Sequence, residues 1–417
     1  MNNCFYPANI LLPDFEKTDG SRWAVIACDQ FTSEPEYWDA AEKYVGDAPS
    51  ALRLILPEVR LDKADECVPE INKTMYEYLD TVLRESPDTM IFVERAQPSG
   101  GVRRGIVGMV DLECYDYRKG TEPCIRATEG TVLERIPPRV AVRRGAPIEL
   151  PHVMLLIDDP EKTVIEPLMS AELTPAYDFD MMLDGGHIKG QFLTKNEIKR
   201  VSDALEALVT PTAIEKRYGG SFAPLLFAVG DGNHSLASAK ALYEEIKAEI
   251  GEDAAKEHPA RYALAEVVNL HDPALEFEPI YRVVFGVEPR EFVKKLTEYC
   301  ESLDGDSAPQ TVKYLYNGGK GEITVKRPCH QLTVGTLQTF IDGYIKEHPT
   351  ATVDYIHGED STEKLAMREN AIGFIFDGMG KDQLFKSVML DGALPRKTFS
   401  MGHARDKRYY VEARKIK

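Results

Sequence analysis

The 417-residue chain is short of positive charge, with 50 Lys and Arg against 68 Asp and Glu and a formal charge of −18. Nucleic-acid and anionic-membrane binders need a basic footprint, so both classes are set aside as partners. Long apolar runs are missing as well. No stretch reaches the ~18 apolar residues of a membrane-spanning helix. Residues Met1–Pro7 have neither a basic start nor an apolar segment of the secretory kind, so a cytoplasmic location is expected. Cys4, Cys28, Cys67, Cys114, Cys124, Cys300 and Cys329 form no Cys-x-x-Cys pair. Reduced thiols are therefore expected, not a disulfide framework or a zinc ribbon. The chain also has no His-Glu-x-x-His helix and no Walker loop, and no pre-formed metal site is expected.

What is present is ordinary globular material, 43% apolar and 28% charged. The length exceeds a usual single core of ~250–300 residues. Two domains are expected, 1–287 and 288–417, divided near Val287-Glu-Pro-Arg290. Helix-like and strand-like periods alternate along the chain. Trp23–Cys28, Ile91–Glu94, Gly105–Leu112, Val153–Ile157 and Leu225–Val229 read as strands. Ser33 with Glu36, and Thr194 with Glu197, read as helix-starting capping boxes. Asn317-Gly-Gly-Lys-Gly321 reads as a hairpin turn. The pattern predicts an α+β fold with mixed sheets and a smaller second domain.

One segment concentrates chemistry: Leu225-Leu-Phe-Ala-Val-Gly-Asp-Gly-Asn-His-Ser235. An apolar strand ends at Gly230, a tight turn follows, and a helix begins. A helix start offers unpaired N–H groups and a positive dipole end, which suits a phosphate. Gly230 and Gly232 permit close approach of a ligand to the backbone. Asp231 and His234 set a carboxylate and an imidazole at its mouth. The plainer alternative is a helix cap by Asp231 or Ser235.

This turn resembles the Asp-Gly-His-His-Arg motif of the DUF1015 family. That family is similar to the ParB/sulfiredoxin-like superfamily, which includes ADP-dependent free-serine kinases. Ile26-Ala-Cys-Asp29, Ala127-Thr-Glu-Gly-Thr131, Glu278-Pro-Ile-Tyr-Arg282 and Leu394-Pro-Arg-Lys-Thr-Phe-Ser400 resemble further family segments. The resemblance implies a ParB/sulfiredoxin-like core in which the turn binds nucleotide phosphates, ADP or ATP with Mg²⁺. Asp231, Gly232 and His234 match the motif, with Asn233 for its first His and Ser235 for its Arg. Ser cannot replace a bidentate phosphate donor. Arg282, Lys189, Lys397 and Arg396 are the candidate replacement cations, and Asp231 or an N-terminal carboxylate, Asp29, Glu34 or Glu36, is the candidate base. Glu129 is a further candidate from family position.

Outside the motif, Leu183-Asp-Gly-Gly-His-Ile-Lys-Gly190 offers Gly186, His187 and Lys189 as an anion nest, or is merely a glycine-rich turn. His271-Asp272 is a possible orienting pair or a plain turn. The leading expectation is a phosphotransferase acting on a small hydroxyl compound or amino acid. A binding protein that senses a nucleotide or metabolite without catalysis is the rival, and the charge disfavours a third, DNA-associated reading. A homodimer is left open.

Overall fold

The computed structural model describes residues 4–118, 120–131, 134 and 136–417. The chain forms two compact units, Met1–Leu275 with Gly402–Lys417, and Glu276–Met401. From sequence, 402–417 belong with the second unit. They instead return to the first, where Tyr409, Tyr410, Val411, Ala413 and Ile416 join its main apolar core.

The first unit is built on a ten-stranded mixed sheet. Its elements, with the helices that flank it, are β1 (Phe5–Tyr6), β2 (Val25–Ile26, outside the large sheet), α1 (Pro35–Val45), α2 (Ala64–Thr81), β3 (Ile91–Ala96), β4 (Val102–Asp111), β5 (Tyr115–Asp116), β6 (Ile125–Ala127), β7 (Met154–Ile157), β8 (Thr174–Asp180), β9 (His187–Phe192), α3 (Lys195–Leu208), β10 (Phe227–Asp231), α4 (Asn233–Ile250) and β11 (Tyr262–Asn269). The strand order is β8-β9-β3-β4-β11-β7-β10-β6-β5, with β1 added to β4. β7 runs parallel to β11 and antiparallel to β10, and β10 runs parallel to β6. β3 and β4 form a hairpin around Gln97–Gly101, joining two of the expected strands. Fully buried strands such as Met154–Ile157 read as unbroken apolar runs, as their two-sided burial requires.

The second unit carries a six-stranded antiparallel sheet. Its elements are β12 (Phe277–Phe285), α5 (Pro289–Ser302), β13 (Gln310–Tyr316), β14 (Gly319–Val325), α6 (Thr333–Glu347), β15 (Thr352–His357), β16 (Ala371–Ile375) and β17 (Phe399–Met401). The order is β14-β13-β16-β12-β15, with β17 also on β12. The hairpin predicted at Asn317–Gly321 joins β13 and β14. The architecture is α+β, as expected.

Three local expectations need correction. Thr194 does cap α3, accepting from the Glu197 N–H, but Ser33 does not cap α1. α1 starts at Pro35, whose fixed φ suits a first helical position, and Glu34 makes no side-chain cap bond. Within Trp23–Cys28 only Val25–Ile26 is strand, paired with β18 (Tyr409–Tyr410), because Asp19 caps a helical turn at Gly20–Trp23. Finally, Cys4 and Cys114 are joined by a disulfide, contrary to the expectation of reduced thiols. Pairing of Phe5 with Val110 on β4 sets the two cysteines side by side. Cys28, Cys67, Cys124, Cys300 and Cys329 are free.

The returning segment is fastened by buried charge. Arg408 donates to Glu266 at 2.8 Å, to Glu412 at 2.7 Å and to the Pro151 carbonyl at 2.7 Å. Arg414 donates to Glu149 at 2.9 Å, and Arg143 pairs with the same carboxylate. No described helix is long and apolar enough to cross a membrane.

A candidate anion-binding and acid–base site

The site grows from the β10–turn–α4 unit. Phe227, Ala228 and Val229 are buried and fix the strand, while Gly230 and Asp231 emerge half-buried at its end. Gly232 has φ +79°, a left-handed conformation, and a Cβ there would stand 3.0 Å from the Val153 Cα. Only glycine fits both constraints at low cost. α4 then starts at Asn233 with no side-chain cap, so neither Asp231 nor Ser235 is its N-cap. Instead, Asp231 Oδ1 accepts the Gly232 N–H at 2.9 Å. Its other oxygen stands 3.3 Å from Lys407 Nζ. The Asn233 Oδ1 is buried without a hydrogen-bond partner.

His152, from the segment that leads into β7, closes the site. Its Nδ1 lies 2.7 Å from the Tyr410 hydroxyl. Its Nε2 lies 3.5 Å from Asp29 Oδ2 and 3.4 Å from Ser235 Oγ. Asp29 also accepts from Gln30 Nε2 at 2.9 Å. Burial opposes charge on both partners, and their attraction outweighs it. The Asp29 carboxyl is held well below the usual carboxylate range by His152, and the His152 imidazole is raised by Asp29. Tyr410 donates to Cys28 Sγ at 3.2 Å. Burial pushes the Cys28 thiol up to about 12, with Asp29 adding to the rise, so this cysteine is no ready nucleophile.

Of the residues singled out by sequence, Asp29, Asp231, Gly232 and Ser235 come together here, with Gly230, Asn233 and His234 on the same turn. His234 is half-buried, and its carbonyl accepts from Ser238 Oγ at 2.7 Å. Glu129 is half-buried just beyond β6, next to Thr128, whose hydroxyl donates to the Val229 carbonyl at 2.6 Å. Glu36 is exposed in the first turn of α1.

Others lie elsewhere. His187 and Lys189 are on β9, and four strands stand between β9 and β10. Both His187 nitrogens are engaged, Nδ1 by Asp180 at 2.7 Å and Nε2 by Asp178 at 2.8 Å. Gly186 packs against the Ala96 carbonyl rather than forming an open nest. His271 is held by Asp158 at 2.7 Å, so its carboxylate partner is not the adjacent Asp272.

Arg282 and Lys397 belong to the second unit. Arg282 is fully buried, donates to Gln338 at 2.6 Å and to the carbonyls of Ile280, Lys397 and Arg396, and stacks on Tyr355. Its donors are committed to holding β12 and the 396–397 backbone.

Three site residues escape the sequence: His152, Lys407 and Tyr410. Leu150-Pro-His-Val153 looks like a strand approach, and 407–410 lie past the last family-like segment. Their one visible signal is that both stretches mix polar residues into chain that the structure buries.

No curated protein matches the chain. Among solved structures, a free serine kinase in complex with AMP is similar at 11% identity, covering 72% of this chain and 89% of that one with a TM-score of 0.36. A conserved hypothetical protein from Pyrococcus furiosus is similar at 10% identity, covering 70% and 89% with a TM-score of 0.34. C-terminally truncated SbnI from Staphylococcus aureus is similar at 9% identity, covering 71% and 82% with a TM-score of 0.35. The family model described as "Protein of unknown function (DUF1015)" matches residues 12–365, and the chain belongs to that family.

Proposed function

We propose that this protein is a nucleotide-dependent phosphotransferase acting on a small hydroxyl compound, of the free-serine-kinase type. The observation that carries the reading is the Lys407 ammonium beside Asp231, at a left-handed glycine turn that opens into an uncapped helix start. A helix start, its dipole and one ammonium make a phosphate cradle. Lys407 supplies the charge that the family motif places on its Arg, which is Ser235 here. Charge of this kind offsets the negative charge that gathers in phosphoryl transfer.

Mg²⁺ carried in with the nucleotide would offset the charge of its phosphates. The described residues hold no cluster of three His, Cys, Asp or Glu able to cage a metal alone. Asp231 Oδ2 and the unpartnered Asn233 Oδ1 are the oxygens that fit such an ion at this turn. The acceptor hydroxyl then lies on the Asp29 side of the turn.

Calorimetry with ADP and ATP, each with Mg²⁺, tests the binding, and a screen of hydroxyl compounds tests the transfer. Absence of both binding and turnover rejects the reading. A regulatory protein that binds nucleotide without turnover is the second reading, favoured by Ser235 at the position of a bidentate Arg. It holds if ligand raises the melting temperature while no acceptor is phosphorylated.

A further inference from the structure

The hydrogen bonds around Tyr410 assign the His152 tautomer. The Tyr410 hydroxyl has one proton, and it points to Cys28 Sγ at 3.2 Å. Its oxygen also receives the Cys28 backbone N–H at 3.3 Å. With that proton on the sulfur side, the His152 Nδ1 at 2.7 Å is the donor to the same oxygen. In that arrangement Nδ1 carries the neutral ring's proton, and Nε2 is the nitrogen that gains and loses one. Nε2 faces Asp29 Oδ2 and Ser235 Oγ.

The charges around the ring come from several elements. Asp29 and Asp231 favour the imidazolium, while Arg408 and burial oppose it. Lys407 stands on the far oxygen of Asp231. Tyr410 and Cys28 complete the Nδ1 side. Both nearby carboxylates already accept bonds. Asp29 is tied to His152 and Gln30, and Asp231 to Lys407 and the Gly232 N–H.

We propose that His152 Nε2 takes the proton of the acceptor hydroxyl in the transfer step, with Tyr410 as a positioning residue that locks its tautomer. This assignment rests on the phosphotransferase reading. The acceptor O–H bond breaks and its proton passes to Nε2. The oxygen's electron pair forms the new bond to the terminal phosphorus of a nucleoside di- or triphosphate. The bond from that phosphorus to the bridging oxygen breaks, and its electron pair leaves with the shortened nucleotide. Asp29 holds the imidazolium that results.

The test uses the full chain and three variants, His152→Gln, Tyr410→Phe and Asp29→Asn. ADP binding by calorimetry is expected to survive in His152→Gln within about threefold, while transfer falls by about 10²–10⁴-fold. Wild-type transfer is expected to rise with pH along one acidic limb, which moves to lower pH in Asp29→Asn. Nitrogen-15 spectra of the His152 ring are expected to place the neutral-form proton on Nδ1, and Tyr410→Phe to release it to a tautomer mixture. Undiminished transfer in His152→Gln, or a neutral ring protonated on Nε2, overturns the proposal while ADP binding keeps the wider reading alive. No ADP binding by the wild type removes both.

Discussion

Lys407 Nζ stands 3.3 Å from Asp231 Oδ2, which joins the returning C-terminal segment to the glycine turn. The ammonium is only 16% exposed, so it meets a ligand in a partly desolvated setting. Lys407→Ala is expected to weaken ADP binding about ten- to hundredfold, the range for losing one charge-assisted bond. The fold should change little, since a single partly exposed pair contributes under about 1 kcal/mol. Calorimetry beside thermal melting separates the two effects.

Gly232→Ala tests the turn itself. A side chain at φ +79° costs about 1–2 kcal/mol, and the new Cβ would press on Val153. Urea unfolding should show at least that loss, and ADP binding should fall with it. An alanine variant as stable as the wild type would mean the turn has another conformation in solution.

The Asp29–His152 pair makes stability depend on pH, with a defined sign. The raised His152 contributes fully below its unfolded value of 6.5, and this contribution is lost as pH rises through the folded value. The depressed Asp29 contributes above its unfolded value of 3.8 and is lost only as pH falls through its lower folded value. His187 is raised as well, chiefly by Asp180, and adds in the same direction as His152. The difference in melting temperature between wild type and Asp29→Asn isolates the buried pair. That difference should shrink as pH climbs from about 6 into the alkaline range, and a constant gap would contradict the pairing.

Arg408 is the buried cation that fastens the return. Arg408→Met removes the guanidinium that Glu266 and Glu412 share, leaving Glu266 only Arg103 at 3.7 Å. A loss of about 3–5 kcal/mol is expected from an uncompensated buried charge. Guanidinium unfolding measures it, and a loss below about 1 kcal/mol would show that the carboxylates relax by taking up protons.

The legible parts of this molecule were those written in local pattern. The Thr194 cap, the β3–β4 hairpin, the turn at Asn317–Gly321 and the strand–glycine–helix order of residues 225–250 all follow from spacing within a few residues. What stayed hidden depends on long-range return. His152 meets Tyr410, and Lys407 meets Asp231, only because apolar residues of 409–416 enter the core of the first unit. The Cys4–Cys114 bond depends likewise on how β1 lies on β4, which no spacing of cysteines reveals. Arg282 misled for the opposite reason. It sits in a family-like segment, yet its donors go to Gln338 and to backbone carbonyls that only the fold supplies.

The return of residues 402–417 also sets an order of events during synthesis. The strand–turn–helix leaves the ribosome first, then the whole second unit, and only afterwards Lys407, Arg408 and Tyr410. Until then the core of the first unit lacks part of its apolar filling, Glu266 lacks Arg408 and His152 lacks the hydroxyl that orients it. A stalled or clipped product missing residues 402–417 therefore has neither the ammonium beside Asp231 nor the hydroxyl beside His152.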